Sequence, residues 1–196
     1  MRKLIYATFV ATVFFTSSGY SQPLTVGSQG SKAVLFNFSG LSNLALTGYQ
    51  GGIGGKYYIS NDLALRALLL FGINNATTNT APQSTDDKLS FGIGGGLEYH
   101  LALNSNVSPY VGGAITFTDN SESFEGPVTP KSTTTSVAVA IGAIGGVEYY
   151  FNQNISLAAE YQFGLTSTTT TSTGQPDRSG FALGFQTAGL TMGVYF

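Results

Sequence analysis

The sequence has no cysteine, no tryptophan and little charge. Charged residues make up 9% of its 196 positions, against about 25% in a soluble globular protein. The missing cysteine excludes disulfides, zinc-thiolate centres and thiol catalysis. Eight basic against ten acidic residues leave no excess of either sign, so the electrostatic footprint of a nucleic-acid binder is missing. Six prolines and two methionines exclude a Pro-rich linker protein and a Met-rich binding surface. Beyond the N-terminus no apolar run reaches the ~18 residues that a membrane helix needs. What remains is a soluble β protein or a membrane β-barrel. The positions that charge vacates are filled by 26 glycines, 14 Phe and 11 Tyr, together with Ser, Thr, Asn and Gln.

The N-terminus has the layout of an export signal. Arg2 and Lys3 form a basic segment, Leu4 to Phe15 a mostly apolar run, and Ser17, Ser18, Gly19 and Ser21 a small-residue stretch. The apolar run is too short to cross a ~30 Å hydrocarbon core as a helix. Cleavage after Ser21, with Gly19 at the −3 position, leaves Gln22 first. Residues 1–21 are therefore expected to be a signal peptide and 22–196 a single exported domain. Losing Arg2 and Lys3 leaves six basic and ten acidic residues, a net charge of −4.

Period-two alternation dominates the rest of the chain. Over 88–101, Leu89, Phe91, Ile93, Leu97, Tyr99 and Leu101 fall on one face, and Lys88, Ser90, Gly92, Gly94, Gly96, Glu98 and His100 on the other. A helix mixes these sets and a strand separates them. The same parity predicts strands over 32–40, 49–59, 62–73, 107–118, 137–151, 154–166 and 180–196. In the last, Phe181, Leu183 and Phe185 are odd but Leu190, Met192, Val194 and Phe196 are even. One inserted residue exchanges the faces of a strand, so a β-bulge is expected near Gln186 to Ala188. A repeat overlies the pattern. Gly54-Gly55-Lys56-Tyr57-Tyr58, Gly95-Gly96-Leu97-Glu98-Tyr99-His100 and Gly145-Gly146-Val147-Glu148-Tyr149-Tyr150 each precede a short Asn-bearing turn. The other connections, roughly 41–47, 75–87, 119–135 and 168–179, read as long polar loops. Eight strands with short turns alternating with long loops are the pattern of an outer-membrane barrel.

A soluble eight-stranded barrel of the lipocalin kind is the competing fold, with its apolar face inside. The polar face here is mostly Gly, Ala and Ser, whereas a soluble surface needs about 25–35% charged residues. Small residues suit a narrow bore, and the large apolar face suits lipid. Tyr57, Tyr99, Tyr149 and Phe151 fall at one level next to the turns, as an interfacial aromatic girdle does. The expected fold is thus all-β, an eight-stranded antiparallel up-and-down transmembrane barrel.

The signal peptide, the Gly-rich strands, the Gly-Gly-x-Glu-Tyr strand ends and the terminal Leu190-x-Met192-x-Val194-x-Phe196 together resemble the small outer-membrane β-barrel domain proteins of Gram-negative bacteria, the group with the OmpX-like and OmpA-like barrels. The resemblance covers roughly residues 25–196. It implies a location in the cell outer membrane among lipid and lipopolysaccharide. It also implies that Leu190, Met192, Val194 and Phe196 are a signal to the barrel-assembly machinery.

Five charged residues fall on the polar face near the short turns: Lys56, Arg66, Glu98, Glu148 and Glu160. Lys56 and Arg66 are symmetric about Asn61, Glu148 and Glu160 about Asn154, so each pair is expected to face across its hairpin. Enclosed in a narrow bore they must pair, because an unpaired buried ion is very costly. The expected role is a lumen ion-pair network that plugs the barrel. An ion pathway is the sharper alternative, and it corresponds to a small-solute or ion channel. His100, the only histidine, is either part of this network or interfacial. No nucleophile accompanies it, so no enzyme activity, no catalytic residue, no transition-metal site and no cofactor is expected. Asp86, Asp87, Asp119, Glu122, Glu125 and Asp177 read as solvated loop charges without the twelve-residue calcium-loop pattern. Thr168 to Thr171 is expected to extend a strand above the membrane, where an open edge adds foreign strands. The functional expectation is a monomeric structural or surface-interaction protein for envelope integrity or adhesion, with an extracellular partner at the loops. N-terminal sequencing of the protein recovered from envelopes should begin at Gln22; an N-terminus that keeps Arg2 and Lys3 contradicts the assignment.

Overall fold

A computed structural model describes residues 27–39, 48–78, 84–101, 106–125 and 132–196. The expected signal peptide, residues 1–21, the expected first residues of the exported domain and the first polar connection, 41–47, lie outside the described residues. Eight strands follow in order: β1 (Lys32–Ser39), β2 (Gly48–Tyr58), β3 (Leu63–Thr78), β4 (Ser84–His100), β5 (Val107–Glu125), β6 (Ser132–Tyr150), β7 (Ile155–Ser172) and β8 (Arg178–Tyr195). Each pairs antiparallel with its sequence neighbours, and β1 closes on β8 from Ala33↔Tyr195 to Ser39↔Gly189, giving a closed barrel.

The alternation sets the two faces. Leu69, Phe91, Ile93, Ile115 and Ile141 are all at least 40% exposed on the outer wall. Lys56, Arg66, Glu98, Glu148 and Thr191 are buried in the lumen. This is the reverse of a soluble ligand-binding barrel, and it removes the lipocalin-like alternative. The parity change of β8 comes from one extra residue. Gln162 pairs with Thr187 and the next residue, Phe163, pairs with Phe185, so Gln186 is the insertion. Leu183 and Phe185 point outward before it, and Thr191, Gly193 and Tyr195 are buried after it.

Three of the expected long loops are shorter than the polar composition implies. The β3–β4 ladder continues to Thr78↔Ser84, β5–β6 to Phe124↔Ser132, and β7–β8 to Thr170↔Arg178. Asp86, Asp87, Asp119, Glu122 and Glu125 therefore lie on strands; Asp177 alone of the six acidic residues lies in a connection. Backbone pairing does not end where the apolar side chains end, and only the alternation does. Above that level hydroxyls face hydroxyls: Thr134 and Ser172 approach to 3.0 Å, Ser136 and Thr170 to 2.7 Å. Thr168 to Thr171 does extend β7 upward, but it is paired with β6 throughout and with β8 as far as Thr170. Up to Thr170 it therefore has no open edge for a foreign strand.

The hairpin registers position the lumen residues. Lys56 pairs directly with Arg66. Glu148 pairs with Ala158, and Glu160 with Gly146, so this hairpin is centred one residue earlier than its two glutamates imply. Asn152 fixes the turn, its Oδ1 accepting the N–H groups of Asn154 at 2.8 Å and Ile155 at 3.0 Å, an Asx-type closure. The native chain lacks Trp, which makes the faces testable by single substitutions. Emission from Leu69→Trp should be quenched by lipids brominated on their acyl chains, and that from Leu70→Trp should not. Equal quenching contradicts the face assignment.

Candidate functional site in the barrel lumen

The repeated Gly-Gly strand ends bring β2, β4 and β6 to the short-turn end with their even-numbered residues inward. Lys56 and Tyr58, Glu98 and His100, and Glu148 and Tyr150 are thereby stacked in the bore, and all six are buried. The outward odd residues of the same segments are Tyr57, Tyr99 and Tyr149, each more than 40% exposed. Phe151 stands edge-on to Tyr149, ring centroids 5.0 Å apart. Leu190, Met192 and Val194 face outward on β8, pairing with Phe38, Phe36 and Val34, and Phe196 is exposed.

The five charged side chains form a chain of alternating sign. Glu148 Oε2 lies 2.9 Å from Lys56 Nζ. Lys56 Nζ lies 2.7 Å from Glu98 Oε2. Glu98 Oε1 accepts Arg66 Nη1 at 3.0 Å. Arg66 then holds Glu160 bidentately, Nη1 to Oε2 at 2.6 Å and Nη2 to Oε1 at 2.7 Å. A carboxylate therefore stands at each end of the chain. The end nearer the turns, Glu148, accepts hydroxyls from Ser156 at 2.5 Å, Tyr195 at 2.8 Å and Tyr150 at 3.2 Å. The other end, Glu160, accepts one hydroxyl, from Tyr110 at 2.9 Å. Desolvated ions need such satisfaction of their remaining lone pairs, because Coulomb attraction alone does not offset their removal from water.

Below the ions a ring of aromatic and hydroxyl groups completes the layer. His100 Nε2 lies 3.3 Å from Glu98 Oε2 and 3.1 Å from the Tyr58 hydroxyl, and its Nδ1 lies 2.9 Å from Ser108 Oγ. Tyr58 and Tyr150 hydroxyls are 3.0 Å apart. Parity alone puts Tyr58, Tyr110 and Tyr150 inward, and the bulge puts Tyr195 there too. Tyr110, Tyr150 and Tyr195 donate to the carboxylates, a role the sequence does not show, and Tyr58 instead bonds His100 and Tyr150. Of the three donors only Tyr150 carries a local signal, as the second ring of its Gly-Gly repeat. Gly146 makes room for one of these rings: a Cβ there would sit 2.5 Å from the Tyr110 hydroxyl oxygen and ring.

Glu98, His100 and Glu148 offer ligand atoms within 4.8 Å of one another. The point between the two carboxylates is occupied by the Lys56 ammonium, so this trio is a cation site already filled by the protein. Above Arg66 and Glu160 the lumen widens into a cavity of about 630 Å³ with Leu68, Leu70, Thr116, Thr118 and Ala140 along its walls. Beneath, among Lys56, Glu98, Tyr110 and Glu148, only about 10 Å³ is open.

A closed antiparallel barrel with an apolar outer wall and an ionised core defines the class: an eight-stranded outer-membrane barrel. The chain belongs to the outer membrane protein beta-barrel domain family, whose model matches residues 7–196. It is accordingly a protein of the bacterial outer membrane, surrounded by lipid and lipopolysaccharide. Its fold is similar to that of the attachment invasion locus protein Ail of Yersinia pestis, with 13% identity and a TM-score of 0.53 over 86% of this chain and 99% of that one. It is also similar to OprG of Pseudomonas aeruginosa, with 12% identity and a TM-score of 0.52 over 87% and 99% of the two chains. At these identities the likeness is one of fold. No curated protein matches the sequence.

Glu98 is the hinge of the charge chain, since it alone touches both cations. Glu98→Ala should cost roughly 3–5 kcal/mol, as for a buried pair broken on one side. Denaturant unfolding in detergent measures it, and an unchanged midpoint contradicts the pairing.

Proposed function

We propose that this protein is a plugged, non-conducting and non-enzymatic barrel with a structural or surface-interaction role in the cell envelope. The observation that carries the reading is the ionised layer itself: five charged side chains and four tyrosines fill the bore at one level. An eight-stranded barrel has an interior just wide enough for side chains to fill. Solute passage would have to separate the Lys56 and Arg66 ion pairs inside a low-dielectric wall, leaving buried charges without partners.

In this reading the short turns, the start of β1 and the end of β8 face the periplasm, and the long-strand end faces outside, as in barrels of this kind. Tyr57, Tyr99, Tyr149 and Phe151 anchor the turn end at the lipid interface. Leu190, Met192, Val194 and Phe196 present the alternating apolar C-terminal strand to the assembly machinery. Strands β3 to β8 exceed the ~9–11 residues that cross a bilayer when tilted, and β5 and β6 each have 19. Their Ser- and Thr-rich upper parts then form the surface that meets lipopolysaccharide sugars or an extracellular partner, with the barrel acting as a monomer.

Planar-bilayer recording on the purified barrel distinguishes plug from channel. We expect no steady single-channel current at neutral pH; a stable open level refutes the plug and supports the small-solute channel instead.

A further inference from the structure

We propose that the upper lumen is a blind well, open only toward the loop end, that binds a small organic monocation. The ligand class is a primary amine or guanidine carried on a compact apolar body. The inference rests on the plugged reading above, because the well is blind only if the ionised layer is closed.

Four observations converge on it. The cavity of about 630 Å³ lies within the ~300–1,000 Å³ typical of small-molecule sites. Beneath it the space among Lys56, Glu98, Tyr110 and Glu148 is about 10 Å³, at the lower limit for a single water, so nothing larger passes further. The floor of the well is the exposed end of the charge chain. Glu160 is the one member whose side chain keeps appreciable exposure, 14% against 1% for Glu98 and Glu148 and 7% or less for the two cations. A carboxylate has about four lone-pair positions; Arg66 and Tyr110 take three of Glu160's, and Oε1 retains one.

The charge count gives the ligand its sign. The chain holds two cations, Lys56 and Arg66, against three carboxylates, Glu98, Glu148 and Glu160. At the turn end the surplus is absorbed by three hydroxyl donors on Glu148, whereas Glu160 has one. An excess negative charge behind a low-dielectric wall attracts a cation and repels an anion. The walls set the ligand's shape. Leu68 and Leu70 offer an apolar side, and Thr116 and Thr118 reach in from β5, their methyl groups lying over Gly94 and Gly92. A short amphiphile with its charge leading fits this lining, to which Ser90, Asn120 and Gln162 add polar points.

The native chain has no cysteine, so a single introduced thiol reports on the well alone. The test places Thr116→Cys in the wall and Thr173→Cys at the exposed turn as reference. Each is treated with a trimethylammonium-bearing or a sulfonate-bearing methanethiosulfonate reagent, applied to one side of the oriented, reconstituted barrel. From the loop side we expect the cationic reagent to modify Thr116→Cys at least tenfold faster than the anionic one, after normalising to the Thr173→Cys ratio. Millimolar benzylamine should slow that reaction at least threefold without affecting Thr173→Cys. Adding Glu160→Gln, which keeps an acceptor for Arg66, should remove both the charge preference and the protection. Equal normalised rates, no reaction, or no protection by benzylamine overturns the cation well while leaving the plug intact. Modification from the turn side at a comparable rate overturns the closure, and with it both readings.

Discussion

Hydrocarbon offers no partner to a backbone N–H or C=O, and this one constraint shapes the molecule. A sheet that enters it must close, so β1 pairs with β8 and no edge remains within the described wall. Closure with eight strands gives a narrow bore. The outer residues of every strand then meet lipid and the inner ones meet each other, and neither environment accepts an unpaired ion. The scarcity of charge in the sequence follows from these two faces, and so does the abundance of glycine on the crowded inner one.

Within the bore, electrostatics and packing are solved by the same residues. Lys56 and Arg66 face each other across their hairpin, yet do not repel unscreened, because Glu98 lies between them with one oxygen toward each. Tyr110, Tyr150 and Tyr195 fill volume with their rings and donate to carboxylates with their hydroxyls, which suits a side chain that is apolar along its body and polar at its tip. Gly146 and Gly193 are the counterparts of this filling. A Cβ at Gly193 would come within 2.6 Å of Ser156 Oγ, one of the donors to Glu148. Large and small inner residues are therefore matched across the ladder, as they are in other tightly filled interiors.

The strands, their faces and the bulge were legible because burial on one side imposes a period of two, and because a one-residue slip inverts every side chain. Inward placement of the charges followed from the same parity. Strand length above the membrane was not legible. Thr133 to Ser136 and Ser167 to Ser172 lose the apolar alternation, although their backbones stay paired, since outside the bilayer either face tolerates a hydroxyl. The partner of each charge was only half legible. Symmetry about a turn locates Arg66 opposite Lys56, but the Asx closure at Asn152 shifts Glu160 opposite Gly146. Hydrogen-bond partners on non-adjacent strands, such as Tyr110 for Glu160 and Tyr195 for Glu148, depend on barrel closure and leave no trace in local spacing.

The contrast between the filled turn end and the hollow loop end also makes the barrel mechanically graded. At the turn end each strand is clamped to distant strands through the bore, as Lys56 on β2 is to Glu148 on β6, so the wall there resists ovalisation like a spoked wheel. Higher up, past Arg66 and Glu160, the wall is a hoop of neighbour-to-neighbour ladders around an open cavity, and a less filled wall bends more easily. A load taken up by the loops therefore deforms the rim first and reaches the spoked layer as shear along the strands. Such a cup yields at its lip before its base.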